Sequence, residues 1–201
     1  VQAALARALA RLGQHERGLN LACGDVRLDA RLVNVDRWPG EADVLGDAHR
    51  LPFVGEAFQL VVSQETVEHL ADPFAALREM ARVLAPGGTL YLQAPFVIGY
   101  HPGPEDYWRF TRAGIRRLVE QSGLTCEQVD PVLGPGTGMH RVAVEFWAGL
   151  AARLWDRLYR PAKGMAVLLF LPLHWLDGWL LDGSQRDRIP GGYAALARKP
   201  G

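Results

Sequence analysis

Short apolar runs alternate with helical periodicity along most of the chain. Gly18–Cys23 (GLNLAC), Leu32–Asp36 (LVNVD), Asp43–Ala48 (DVLGDA) and Phe58–Ser63 (FQLVVS) each predict a strand, the last rich in β-branched residues. Asp72-Pro73 supplies an N-cap and a proline for the first helical position. Phe74, Leu77, Met80, Ala81 and Leu84 then recur at helical spacing until the Pro86-Gly87-Gly88 stop. Thr89–Ala94 predicts a fifth strand, and Thr111 caps a helix whose inner face is Ile115, Leu118 and Val119. Leu124–Val129 predicts a sixth strand, Tyr193–Arg198 a last one, and Val1–Leu12 a short opening helix. Strands alternating with helices predict an α/β fold with a mostly parallel sheet, where ligands bind beyond the carboxyl ends of the strands.

The C-terminal third has a different pattern. Across His140–Tyr159, Val142, Phe146, Leu150, Leu154 and Leu158 fall on one helical side, with Trp147 and Trp155 close by. Met165–Leu181 is strongly apolar, but its 17 residues sit at the short end of a bilayer span and include Pro172, His174, Asp177 and Gly178. A helical cap or insertion over 138–183, within a single domain of 1–201, is predicted. Peripheral membrane contact through 165–181 is the sharper alternative.

Composition narrows the function. The chain has 201 residues, 49% of them hydrophobic, enough for a core without staples. Lys+Arg and Asp+Glu each total 22, which excludes a general electrostatic grip on nucleic acid. Two cysteines, Cys23 and Cys126, exclude a disulfide framework and predict a reducing, cytoplasmic setting. Residues 1–12 spread arginines among alanines and leucines, with no apolar core of a secretory signal, and the initial Val points to further chain upstream.

The strand ends carry the candidate chemistry. Ala22-Cys23-Gly24-Asp25 is a small-residue turn that lets backbone approach a ligand closely. Asp36 is placed to accept hydrogen bonds from ribose hydroxyls. Asp47-Ala48 could take an adenine amino group and ring nitrogen, and Ser63-Gln64-Glu65 follows the fourth strand. Four successive strand ends of this kind point to a nucleoside-type ligand.

LNLACG (19–24), VNVD (33–36), GDAHRLPF (46–53), FQLVVSQETVEHLADP (58–73), AALREMARVLAPGG (75–88) and YWRFT (107–111) form a specific set. With them, roughly residues 18–125 resemble class I S-adenosylmethionine-dependent methyltransferases of the type 11 group. The resemblance implies a Rossmann-like, doubly wound seven-stranded sheet of order 3-2-1-4-5-7-6, last strand antiparallel. It also implies S-adenosyl-L-methionine as cofactor, with Ala22 and Gly24 facing its methionine part and Asp36 its ribose. Asp47 and Ala48 would hold the adenine and Ser63 and Gln64 line the pocket, while Cys23 is a turn residue beside the cofactor rather than a nucleophile. Two departures stand out. Asn20, Ala22 and Val26 occupy places where the family has an acid and glycines. Roughly nine residues separate the first two strands, below the ~10–12 of a βαβ crossover, so the first helix is expected to be short or distorted. The missing glycines weigh against a nicotinamide dinucleotide, whose pyrophosphate needs cradling.

The expected reaction is direct in-line methyl transfer, without metal, to a small, sugar- or lipid-linked acceptor. The alternative is a methyltransferase-like, nucleoside-binding scaffold without catalysis. His101, His69 and Glu65 are the candidate bases. Tyr100, Asp106, Tyr107 and Arg109, in the aromatic loop 95–110, are candidate acceptor-binding residues, Arg109 through a two-pronged grip on an anion. The competing readings are that His69 packs its turn, that Tyr107, Trp108 and Phe110 pack the loop, and that Arg109 pairs with Asp106.

Overall fold

The computed structural model describes residues 2–201; Val1, at the start of the predicted opening helix, lies outside the described residues. That helix, α1, spans Gln2–Ala10. Strands β1 (Gly18–Leu21), β2 (Leu32–Asp36), β3 (Val44–Leu45) and β4 (Phe58–Gln64) follow. Then come α2 (Pro73–Val83), β5 (Leu84–Pro95), α3 (Arg112–Glu120) and β6 (Thr125–Leu133). Three helices, α4 (Pro135–Leu154), α5 (Tyr159–Phe170) and α6 (Asp177–Leu181), precede β7 (Gly192–Arg198).

The seven strands form a sheet of order β3-β2-β1-β4-β5-β7-β6, the order the resemblance implies. β1 pairs in parallel with β2 and β4, and β4 with β5. β7 is antiparallel to β5: Gly87 N–H donates to Lys199 O and Lys199 N–H to Gly88 O at one end, Phe96 N–H to Gly191 O at the other. Leu19, Leu21, Leu60, Val61, Val62, Leu90 and Leu92 are all buried, so the central strands read as unbroken apolar runs rather than alternating ones.

Local signals set the helices. Asp72 Oδ1 accepts from Ala75 N–H at 2.9 Å, with Pro73 at the first helical position, and Thr111 Oγ1 accepts from Gly114 N–H at 3.1 Å to start α3. α2 buries Ala76, Leu77, Met80, Ala81 and Val83, whereas Phe74, first of the residues recurring at helical spacing, is exposed.

Several predicted boundaries move. β1 stops at Leu21 because Ala22 turns left-handed, with φ +53°. β3 shrinks to two residues, as Gly46 N–H returns to Asp36 O and the chain turns at Asp47–Arg50. β5 begins at Leu84, so Pro86-Gly87-Gly88 lies inside the strand, its backbone paired with Lys199. β6 runs on to Leu133. The short first helix is also corrected: residues 22–31 are turns and loop. Asn20 organises them, its Nδ2 donating to Val26 O at 3.1 Å and to Asn34 Oδ1 at 2.8 Å.

The chain divides into two compact units. The first comprises residues up to Ala94, Pro102–Asp130 and Ala194–Gly201; the second comprises Pro95–His101 and Pro131–Tyr193. Within the second, Asp177 caps α4 from a distance. Its Oδ1 accepts from Gly136 N–H at 2.6 Å, and its Oδ2 from the Thr137 hydroxyl at 2.5 Å. Glycine is required at 136, because a Cβ there would lie 1.9 Å from Leu173 O. α4 buries Gly136, Gly138, Val144 and Ala148. Val142, Phe146, Leu150 and Leu154, which the sequence sets on one helical side, are exposed. Small residues let neighbouring backbone approach closely, and the larger side chains are left outside.

A left-handed alanine is disfavoured by about 1–2 kcal/mol. Ala22→Gly is therefore expected to raise stability by about 0.5–1 kcal/mol, read as a urea midpoint shift at unchanged m-value. A loss of stability would instead show that the Ala22 methyl makes contacts worth more than the strain it imposes.

Candidate active site

Successive strand ends line one cleft of about 550 Å³, within the ~300–1,000 Å³ of small-molecule sites. Its wall begins at the turn after β1 with Ala22 and Gly24, the latter at φ +52°. Across from it, Asp36 accepts from Gly24 N–H through Oδ2 and from Trp38 N–H through Oδ1, both at 2.9 Å. Each carboxylate oxygen has a second lone pair with which to accept from a ribose hydroxyl. Asp47 and Ala48 continue the wall. Hydrogen bonds from the backbone and then the ring of His49 hold the Asp47 carboxyl below its ordinary range.

The segment that follows Asp47 and Ala48 is fastened to α2. Arg82 donates to Phe53 O at 2.9 Å and Leu51 O at 3.2 Å while its guanidinium forks onto Glu79. Glu79 in turn accepts from Leu51 N–H at 3.0 Å, and Phe53 meets Phe58 edge-on. Sequence reading passed over Glu79 and Arg82. Their i,i+3 spacing on the helix after β4 was the available signal.

At the end of β4, Glu65 (φ +49°), Thr66 and His69 line the cleft. Glu65 Oε1 accepts from Gln93 Nε2 at 3.1 Å, and Gln93 Oε1 accepts from Tyr91 Oη–H and Gln64 Nε2. Gln64 is thus drawn into this network, Ser63 is fully buried, and Cys23 is buried with its thiol 3.5 Å from Gly24 O. All three, expected at the cofactor, stand outside the cleft lining. Burial, then the charge of Asp36, pushes the Cys23 thiol up.

His69 ends a 3₁₀ turn over Val67–His69. Its Nδ1 lies 2.6 Å from Glu105 O. A carbonyl only accepts, so Nδ1 carries a proton toward it, while Nε2 lies 3.7 Å from Glu68 Oε1. Tyr107 also lines the cleft, its N–H donating to Glu68 O at 2.7 Å. Trp108 packs the loop by donating from Nε1 to Leu70 O and stacking on Phe110. Arg109 and Asp106 are corrected to a structural pair. The guanidinium forks onto the carboxylate at 2.5 and 2.6 Å, and the Asp106 side chain is 1% exposed, so these prongs are not offered to an acceptor. His101 and Tyr100 belong to the second unit, His101 with Nδ1 3.3 Å from Gly99 O and Tyr100 exposed.

Glu68 is wholly buried in the same turn. Burial first, then the negative charge of Glu65, push its carboxyl up to about 8, with Asp106 adding and Arg109 opposing. Unfolded, the group titrates at its ordinary 4.5. Across that window the folded chain keeps a proton that the unfolded chain releases, so stability falls as pH rises through it. Glu68→Gln mimics the neutral acid. It is expected to flatten the fall and to exceed wild type at pH 8 by at least about 1 kcal/mol. Denaturation midpoints that track wild type at every pH would contradict the shift.

Comparison with known proteins adds independent information. Residues 2–92 match the family model described as a methyltransferase domain. A demethylmenaquinone methyltransferase of Mycobacterium marinum is 35% identical over 100 residues, covering 42% of this chain and 43% of that protein. The match thus spans under half the length of that curated relative. The [4+2]-cyclase SpnF shares the fold with TM-score 0.61 at 17% identity, over 99% of this chain and 80% of that one. So does Haemonchus contortus phosphoethanolamine N-methyltransferase 2, solved with S-adenosyl-L-methionine, with TM-score 0.57 at 14% identity over 98% and 52%. One neighbour is a cyclase, so the fold by itself does not name a reaction. The matched segment holds Ala22, Gly24, Asp36, Asp47, Glu65 and His69. Over residues 2–92 the chain is thus similar to a methyltransferase domain, and its sheet has the strand order that the resemblance implies.

Proposed function

We propose that the protein is a cytoplasmic S-adenosylmethionine-dependent methyltransferase acting on a small acceptor of apolar, ring-bearing or lipid-linked kind. The observation that carries this reading is the single cleft shared by Ala22, Gly24, Asp36, Asp47 and His69. A nucleoside set across the strand ends finds acceptors for its ribose on Asp36 and polar groups for its base at Asp47-Ala48. Glu65, held by Gln93, contributes a negative charge that favours a cationic donor. Bound S-adenosylmethionine supplies a methyl group on a positively charged sulfur. The chain's own part is to align the acceptor, exclude water and accept a proton. Nε2 of His69 is the base we assign, because the Glu105 carbonyl fixes its tautomer and its ring lines the cleft. Trp38 and Tyr107 give the cleft aromatic faces suited to a flat acceptor. A quinone-type ring, as the name of the mycobacterial relative suggests, suits that lining. A lipid-linked acceptor would be met at a membrane surface, with 165–181 the candidate contact.

The rival reading, a nucleoside-binding scaffold, draws on Asn20 and Val26 standing where the family has other residues. Binding without turnover separates it.

Asp36→Ala is expected to weaken S-adenosylhomocysteine binding by about 1–3 kcal/mol in calorimetry. Unchanged affinity in a folded variant would show that the ribose lies elsewhere. With a methyl-accepting quinol as substrate, His69→Ala is expected to lower turnover about 10²–10⁴-fold at unchanged cofactor affinity. Wild-type turnover would remove His69 from the chemistry.

A further inference from the structure

The second unit exposes an apolar helical surface that its own interior does not use. On α4, Phe146, Leu150 and Leu154 recur four residues apart and are exposed, Leu154 by 84%. Met165, Leu168 and Leu169 are exposed on α5. Beyond it, Trp175 in the 3₁₀ segment Leu171–Leu176 is 80% exposed, and Trp179 on α6 is 77% exposed. The 26-residue run Asp156–Leu181 is long and apolar enough to cross a membrane by length and composition, and almost none of its apolar window is buried. A surface of this kind marks a contact site.

Charge selects what covers it. Arg153 precedes the run, Arg157, Arg160 and Lys163 stand in its first part, and from Gly164 to Leu176 the sequence has no Asp, Glu, Lys or Arg. Of the acids near that border, Glu145 pairs with Lys163 at 2.6 Å and Asp177 caps α4, which leaves the three arginines facing only Asp156 as a local acid in sequence. An apolar field with a positive rim complements an anionic lipid surface. Trp147, Trp155, Trp175 and Trp179 are all exposed in this unit, and indole rings favour the boundary between headgroups and acyl chains.

The fold decides between lying on a bilayer and crossing it. α5 has 12 residues, about 18 Å of helix against the ~30 Å of a hydrocarbon core. The segment then tightens to 3₁₀ at Pro172, and Asp177 is tied to Gly136 and Thr137 at the start of α4. Drawing the run through a bilayer as one rod would break that cap.

We infer that the second unit docks on anionic membranes, its apolar helices sunk into the headgroup boundary and Arg153, Arg157 and Arg160 on lipid phosphates. The purpose of this contact rests on the lipid-linked acceptor proposed above, but its test needs no turnover. The full chain is floated with vesicles of phosphatidylcholine alone or with a quarter phosphatidylglycerol, while tryptophan emission is recorded. Flotation with the anionic vesicles, a blue shift, and binding about tenfold weaker to the neutral ones are expected. R153E/R157E/R160E is expected to weaken anionic binding at least tenfold, L168S/L169S/W175S to abolish it, and alkaline carbonate to release the protein. S-adenosylhomocysteine affinity, measured on the same variants, is expected to match wild type, so failure of the cleft assignment shows separately. The inference is overturned by absent flotation, by equal flotation with both vesicles, or by resistance to carbonate, which marks a span. A lipid-free dimer that L168S/L169S/W175S dissociates overturns it as well, because the face then belongs to a second copy.

Discussion

One carboxylate holds the mouth of the cleft in shape. Asp36 binds the backbone N–H of Gly24 and of Trp38, so the turns after β1 and β2 are fixed on a single side chain. In many nucleotide-binding α/β folds a helix N-terminus after the first strand orients such amides. Here residues 22–31 are turns and loop, and the carboxylate takes over that ordering. Asn20 supports it by fixing Val26 and Asn34, the left-handed pair Ala22 and Gly24 gives the turn its curvature, and the shape of the cleft mouth follows from their agreement.

The same economy runs through the rest of the first unit. The segment beyond Ala48 would be a free loop, yet Arg82 and Glu79 clamp its backbone to α2. The segment after His101 is clamped by Glu68 O, Leu70 O and the Arg109–Asp106 fork. Side chains seen in the sequence as charged or aromatic loop decoration thus act on backbone. The cleft lining keeps groups with chemistry to offer, among them Asp36, Asp47, Glu65, His69 and Tyr107.

Much of this architecture was legible in the residues, and the exceptions share a cause. The buried strands were read because β-branched and leucine runs have few other uses, and the sheet order followed from the family likeness. The cleft residues Ala22, Gly24, Asp36, Asp47 and Ala48 were found because strand ends are where such sheets bind. Ser63 and Gln64 stand outside the cleft lining because Ser63 is buried in the sheet and Gln64 is bonded to Gln93, a pairing between strands that the sequence does not show. Arg109 was open to two readings because a sequence shows a charge but not its partner. On α4 the hydrophobic stripe is the exposed face. Apolar periodicity reports a face that avoids water, and here Gly136, Gly138 and Ala148 pack inside by close approach while the large residues stay exposed. That inversion, unlike a simple boundary error, carries information about what the second unit meets.

The most direct measurement of the central claim is a structure of the intact protein with S-adenosylhomocysteine. The account places the ribose hydroxyls on the Asp36 carboxylate, the adenine beside Asp47 and Ala48, and the sulfur on the His69 side of the cleft. A nucleoside bound anywhere else, or a cleft that takes none at saturating ligand, would contradict it.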